Sequence, residues 1–163
     1  MAERRRSAPR NPQIRLLLAM LRFASVISRP MRGGVADPAG LSCNELRILM
    51  ALSGEGESAG HDLAELMGIH AMSVSRTLAS LRRMRLVEPA ANTRNRRRKP
   101  YRVSARGRAT YAALQPDIAE VARFLFGAVT ARDRARLERT IAKLDRQVTK
   151  WQPRRQRPHV PRA

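Results

Sequence analysis

The sequence predicts a mainly α-helical chain with one small β-hairpin, and three observations carry that prediction. Apolar segments of helix length recur along the 163 residues, three of them opening on helix-cap signals. Two short helical stretches meet at Gly68, a residue type able to take the left-handed conformation of a helix end. Two brief strand-like segments, "LVEPA" and "YRVS", flank a run of cations, with Tyr101 and Val103 alternating with polar residues. Hydrophobic residues make up 43% of the chain but aromatics only 4%, so the core is expected to be aliphatic.

Charge sets the class of partner. Lys and Arg number 33 against 13 acidic residues, a net charge of +20 that a polyanion would relieve. Single-stranded nucleic acid is disfavoured, because one Trp, two Tyr and three Phe are too few and too scattered to form stacking platforms. A membrane is disfavoured too: no run approaches 18 apolar residues, and Met1–Arg10 is Arg-rich with no signal-peptide core behind it. The lone Cys43 excludes an intramolecular disulfide and fits a reducing cytoplasm. The composition therefore predicts a soluble, intracellular, nucleic-acid-binding protein.

In chain order, residues 1–12 and 152–163 combine Pro with Arg and are expected to be disordered basic arms. "QIRLLLAMLRFASVIS", residues 13–28, is a helix apolar nearly all round, and "RPMRGGVADPAG" is expected to break it. In "LSCNELRILMAL", Ser42 and Glu45 form a capping box and Leu41 and Leu46 the matching staple. Leu46, Leu49 and Leu52, with Ile48 beside them, make the buried stripe. "SGEGESAG" is a turn rather than a phosphate cradle, since Glu55 and Glu57 would repel phosphate. Ser104 caps a long helix through "RGRATYAALQPDIAEVARFLFGAV", where Pro116 is expected to force a kink or a break. Thr130 and Asp133 open the last helix, which places Leu137, Ile141, Leu144, Val148 and Trp151 on a coiled-coil-like seam.

The most informative segment is "HDLAELMGIHAMSVSRTLASLRRMRLV". Ala64, Gly68 and Val74 have the spacing of a helix-turn-helix: a small residue at the crossing, Gly in the turn, an aliphatic anchor in the second helix. Val74, Leu78 and Leu81 face inward. Ser73, Ser75, Arg76, Ser80, Arg82 and Arg83 face outward with no acid before Glu88. A surface helix normally mixes both signs, so this one is the candidate DNA reader.

With these elements in this order, the chain over roughly residues 13–151 resembles the MarR family of winged helix-turn-helix transcriptional regulators. "SVSRTLASLRRMRLV" looks like the family's recognition helix and following strand, and "NRRRKPYRVSARG" like its wing. Val103, Ser104 and Gly107 stand at the positions of the family's Leu-Thr-x-x-Gly motif. The chain departs twice: Asn95 stands where Asp is usual, and Arg85 where Gly is common. The resemblance implies a winged helix-turn-helix lobe at 41–104, a first dimerisation helix and linker at 13–40, and C-terminal dimerisation helices at 105–151. It further implies a bacterial, cytoplasmic, nucleoid-associated homodimer that represses a nearby operon until an aromatic acid or its thioester binds. An effector-independent architectural DNA-binding protein is the rival reading.

Site expectations follow. The wing set is Arg94, Asn95, Arg96, Arg97, Arg98 and Lys99, with Arg97 at the tip entering the minor groove. The dimer set is Leu17, Leu18 and Leu21 on the first helix with Leu137, Ile141, Leu144, Val148 and Trp151 on the last. The effector set is Phe23, Ile27, Ser28, Arg47 and His61, with the Arg47 fork suited to a carboxylate. His61, His70 and His159 lack ligand-like spacing, so no catalytic residue, metal site or cofactor is expected. Cys43 is the one redox candidate, though a small packed residue is the plainer account of it.

Overall fold

The computed structural model describes residues 11–90, 100–148 and 150. It is mainly helical with one three-stranded antiparallel sheet. The chain divides into two compact units, Met1–Val121 and Ala122–Ala163.

Helix α1 spans Pro12–Met31; Asn11 caps it by accepting the Gln13 N–H at 2.8 Å. Pro30 does not break it, contrary to expectation. Proline removes one ladder bond, while the Arg32 N–H still reaches the Ser28 and Arg29 carbonyls. The chain passes into a π-helical turn, Arg32–Ala36, that buries Val35 and Ala36. Gly34 lies against Val121, where a Cβ would sit 3.0 Å from Cγ2.

Helix α2, Cys43–Glu55, opens on the expected capping box. The Ser42 N–H donates to Glu45 Oε2 at 2.7 Å, and the Glu45 N–H donates to Ser42 Oγ at 3.3 Å. Leu46, Ile48, Leu49 and Leu52 are buried as the spacing required, with Leu41. The helix runs into the expected turn as far as Glu55, and Gly56 then turns the chain at φ +82°. A strand that the sequence did not suggest follows, β1 (Ser58–Ala59). Two residues carry no periodicity, so only its partner reveals it.

Helices α3 (Gly60–Met67) and α4 (Ala71–Arg83) form the helix-turn-helix around Gly68, which is left-handed at φ +62°. The Gly68 and Ile69 N–H groups close the end of α3 on the Glu65 and Ala64 carbonyls. Val74, Leu78 and Leu81 are buried, as predicted. Strands β2 (Val87–Pro89) and β3 (Pro100–Val103) pair with Val87 opposite Val103 and Pro89 opposite Tyr101. The sheet order is β1-β3-β2.

One junction locks this lobe to the next helix. Arg85 ends α4 at φ +60°, a left-handed conformation costly for any residue with a Cβ, which is why glycine suits the position. Its carbonyl accepts the Ser104 hydroxyl at 2.6 Å, and the Leu86 carbonyl accepts the Ser104 N–H at 3.1 Å. Ser104 Oγ in turn caps α5 (Ala105–Phe126) by accepting the Gly107 N–H at 3.0 Å. A Cβ on Gly107 would sit 2.0 Å from the Leu86 carbonyl oxygen, so the close approach requires glycine. Helix α5 continues unbroken past Pro116. Helix α6, Ala131–Val148, opens on the predicted Thr130–Asp133 cap, the Asp133 N–H donating to Thr130 Oγ1 at 3.2 Å.

Candidate nucleic-acid interface

Helix α4 meets the surface with its first turn. Behind it, Val74, Leu78 and Leu81 fix its rotation. In front, Ser73, Ser75, Arg76, Arg82 and Arg83 are exposed, and α4 itself contains no acid. Ser80 departs from the expectation. It is half-buried, and its hydroxyl bonds the Glu45 carboxylate on α2. Burial opposes ionisation of Glu45, but Ser80, the Ser42 N–H and hydroxyl and the Arg83 charge together hold its pKa below the ordinary carboxylate value. Ser80 therefore braces the helix from behind. Sequence reasoning missed Met72, which is 67% exposed beside Ser73. An apolar side chain there can meet a thymine methyl group, and its exposure on an N-terminal turn was the missing signal.

The hairpin stem is as firm as the helix. Arg102 on β3 donates to Glu88 on β2 at 2.9 Å and lies 4.0 Å from Glu57. That arginine is paired within the protein. The Ala90 N–H donates to the Pro100 carbonyl at 2.9 Å, closing the ladder next to the tip. The wing candidates Arg94, Asn95, Arg96, Arg97, Arg98 and Lys99 lie outside the described residues, as does Trp151.

The expected effector residues lie on three helices: Phe23, Ile27 and Ser28 on α1, Arg47 on α2 and His61 on α3. Arg47 donates to the Met67 carbonyl at 3.1 Å, which caps the end of α3 and ties α2 to it. His61 pairs with its neighbour Asp62 at 2.9 Å, and Phe23 stands exposed on α1. A cleft of about 480 Å³ opens elsewhere, between the end of α2, β3 and the first half of α5. Leu52, Val103 and Ala112 give it an apolar wall, with Arg102, Arg108 and Tyr111 at its polar side. Ser53, also on its wall, has a buried Oγ with no hydrogen-bond partner among the described residues. Its walls come from segments some fifty residues apart, which is why no local pattern announced it.

Apart from the half-buried Leu144, the dimer candidates described on α1 and α6 are exposed in the single chain: Leu17 is 56% exposed, Leu21 57%, Ile141 46% and Val148 72%. Neither helix buries any residue. Cys43 is half-buried and accepts from Arg32 Nε at 3.4 Å. Among the described residues no three potential metal ligands cluster, and no helix is long and apolar enough to cross a membrane.

Comparison with known proteins agrees with this geometry. A model described as MarR family matches residues 39–98. No curated protein matches the chain. Solved structures share its fold. A MarR family regulator from Neisseria meningitidis superposes with a TM-score of 0.67 at 19% identity, covering 86% of this chain and 96% of its own. BpsR of Bordetella bronchiseptica, whose DNA binding is regulated by 6-hydroxynicotinic acid, gives 0.66 at 19% identity over 81% and 98%. NadR in complex with 4-hydroxyphenylacetate gives 0.67 at 21% identity over 89% and 98%.

Proposed function

We propose that this chain, whose residues 39–98 carry the MarR family pattern, is a dimeric transcriptional repressor that grips a pseudo-palindromic operator and lets go when a small aromatic acid or its thioester binds. One observation carries the DNA reading: an exposed, acid-free edge of α4 is held in fixed rotation by a buried aliphatic row, beside a hairpin of fixed register. Such an edge enters the major groove by its N-terminal turn, while a wing reaches the adjacent minor groove. Ser73, Ser75, Arg76 and Met72 then face base edges, and Arg82 and Arg83 face phosphates. The residues at 13–40 and 105–151 supply the dimer, and the arms at 1–12 and 152–163 add phosphate attraction.

For the effector, the relatives that bind or respond to aromatic acids support the ligand class. This reading places the effector in the cleft because its apolar wall and polar side lie together there. Arg102 is already paired with Glu88 and Arg108 with the Val103 carbonyl, so an effector carboxylate would share these arginines with their present partners. Tyr111 and the unpartnered Ser53 hydroxyl offer further polar contacts there.

The test is a footprint of the full chain on the DNA flanking its own gene, with Arg76→Ala beside it. Specific protection that Arg76→Ala weakens by about 1–3 kcal/mol, with little change on random DNA, is the expected result. Equal loss on both DNAs would make Arg76 a phosphate contact. Calorimetry with aromatic acids checks the second half, and operator DNA must weaken effector binding by the same factor that effector weakens DNA binding.

A further inference from the structure

Helix α6 has a second face that dimerisation does not use. Arg132, Arg136, Arg139, Lys143 and Arg146 follow one another at spacings of four, three, four and three residues. At 3.6 residues per turn they fall within an arc of about 80° and form a comb about 21 Å long. The apolar seam of Leu137, Ile141, Leu144 and Val148 is centred about 150° away on the same helix. A partner can therefore cover the seam and leave the comb in water.

The signs on α6 are segregated. Its three acids, Asp133, Glu138 and Asp145, all fall outside the cationic arc, and Asp133 is held by the Thr130 hydroxyl at 2.7 Å. All five cations are exposed, and Arg132, Arg136, Arg139 and Lys143 make no ion pair among the described residues. Ala135, Thr140 and Ala142, which flank the arc, are short, so the cations project without an apolar wedge. An open recess of about 690 Å³ lies along the first three arginines of the comb, with Thr130 and the Thr130-bound Asp133 also on its wall. A solvated face on an ordinary helix would intersperse both signs to limit self-repulsion. Here five like charges are lined up on a chain that already carries +20, which costs free energy unless a polyanion is present.

We propose that this face of α6 is a second DNA-binding surface, which holds the phosphate backbone of another duplex segment without reading its sequence. Duplex DNA supplies one negative charge per about 1.7 Å of axis, so a rigid comb of this length meets its charge anywhere along the backbone. A chain carrying both this surface and the α4 edge joins two DNA segments. The inference goes beyond the regulator reading and does not rest on an effector.

A two-duplex capture assay tests it with the full chain. Protein loaded on a bead-tethered duplex is washed and offered a fluorescent random-sequence duplex. The wild type should capture the second duplex, and Arg136→Gln/Arg139→Gln/Lys143→Gln should capture at least tenfold less while still occupying the tethered one. Capture should fall with salt on a log–log slope of about −3.6 if four phosphates are neutralised. Arg136→Lys/Arg139→Lys keeps the charges and should restore capture, which separates lost contacts from a misfolded helix. No capture by the wild type, or equal capture by the triple Gln variant, would overturn the proposal. So would a triple Gln variant that loses cosedimentation with phosphatidylserine vesicles but keeps duplex capture, since the face would then belong to a membrane.

Discussion

Residues 41–104 and the two helices at the ends of the chain draw on the same aliphatic residue types and meet different fates. In the first, Leu46, Ile48, Leu49, Leu63, Val74 and Leu81 vanish from solvent, α2 opens on a reciprocal capping box, and α2 and α3 end at glycines. In α1 and α6, Leu17, Leu21, Leu137 and Ile141 stay exposed along whole helices. The lobe has finished folding within one chain, whereas α1 and α6 hold apolar surface that a single chain leaves in water. A patch of that extent is the mark of a surface meant to be covered. The lesson is that stability here divides by region: intramolecular in the lobe and, on the proposed dimer, intermolecular at the ends.

The strongest way to break the lobe is at its junction with α5. Gly107→Ala drives a methyl group onto the Leu86 carbonyl oxygen, which is backbone and cannot step aside. We expect a loss of about 3 kcal/mol or more, beyond the usual overpacking range, read as a lower urea midpoint. An unchanged midpoint would show that the approach of α5 to β2 is looser than its hydrogen bonds indicate.

The comparison sharpens when core and terminal truncations are set side by side. Leu49→Ala should cost about 2–5 kcal/mol at any protein concentration, because its neighbours are all in the same chain. Ile141→Ala should cost about 1–3 kcal/mol, with an apparent loss that grows on dilution, because the dimer falls apart by mass action. Leu144→Asp with Val148→Asp should give monomers with weakened operator binding, seen by sedimentation. A concentration-independent Ile141→Ala would return α6 to an intramolecular role.

What could be read in the sequence follows the same division between near and far. The capping box at Ser42, the left-handed Gly68, the inward row of α4 and the Ser104 cap are set by residues within a few positions of one another, and all are present. The partnership of β1 with β3, the turning of Ser80 toward Glu45 and the α2–β3–α5 cleft depend on residues far apart in the chain. Pro30 and Pro116 misled because each removes one bond from a helix that its other bonds sustain. Arg85 lies between the two cases. The sequence showed a departure from glycine, and the positive φ supplies its consequence. Arg85→Gly should relieve the left-handed strain and raise stability by about 1 kcal/mol, visible as a higher melting temperature. A lower one would mean that the side chain stabilises the fold in its own right.

The smallest effect lies at the brace between α2 and α4, and it is distinguished by its dependence on pH. The fold holds the Glu45 carboxyl below its ordinary pKa of 4.5 despite its burial, chiefly through the Ser80 hydroxyl and the Ser42 cap, with the Arg83 charge adding to them. A carboxylate whose folded pKa is depressed stabilises the fold above its unfolded pKa, and that contribution is lost as pH falls through the folded value. Glu45→Gln keeps an oxygen able to accept the Ser42 N–H and removes only the charge. We expect it to cost less than about 1 kcal/mol near pH 6, the scale of one partly exposed ion pair. The difference between the two proteins should shrink as pH falls below about 4.5 and vanish once pH is below the depressed folded value, where Glu45 is protonated in the wild type as well. Ser42→Ala serves as the control. It deletes the hydroxyl cap itself, so about 1 kcal/mol of its loss should persist in acid. A Glu45→Gln penalty equally large near pH 6 and in acid would mean that shape, and not charge, makes Glu45 the brace of α4.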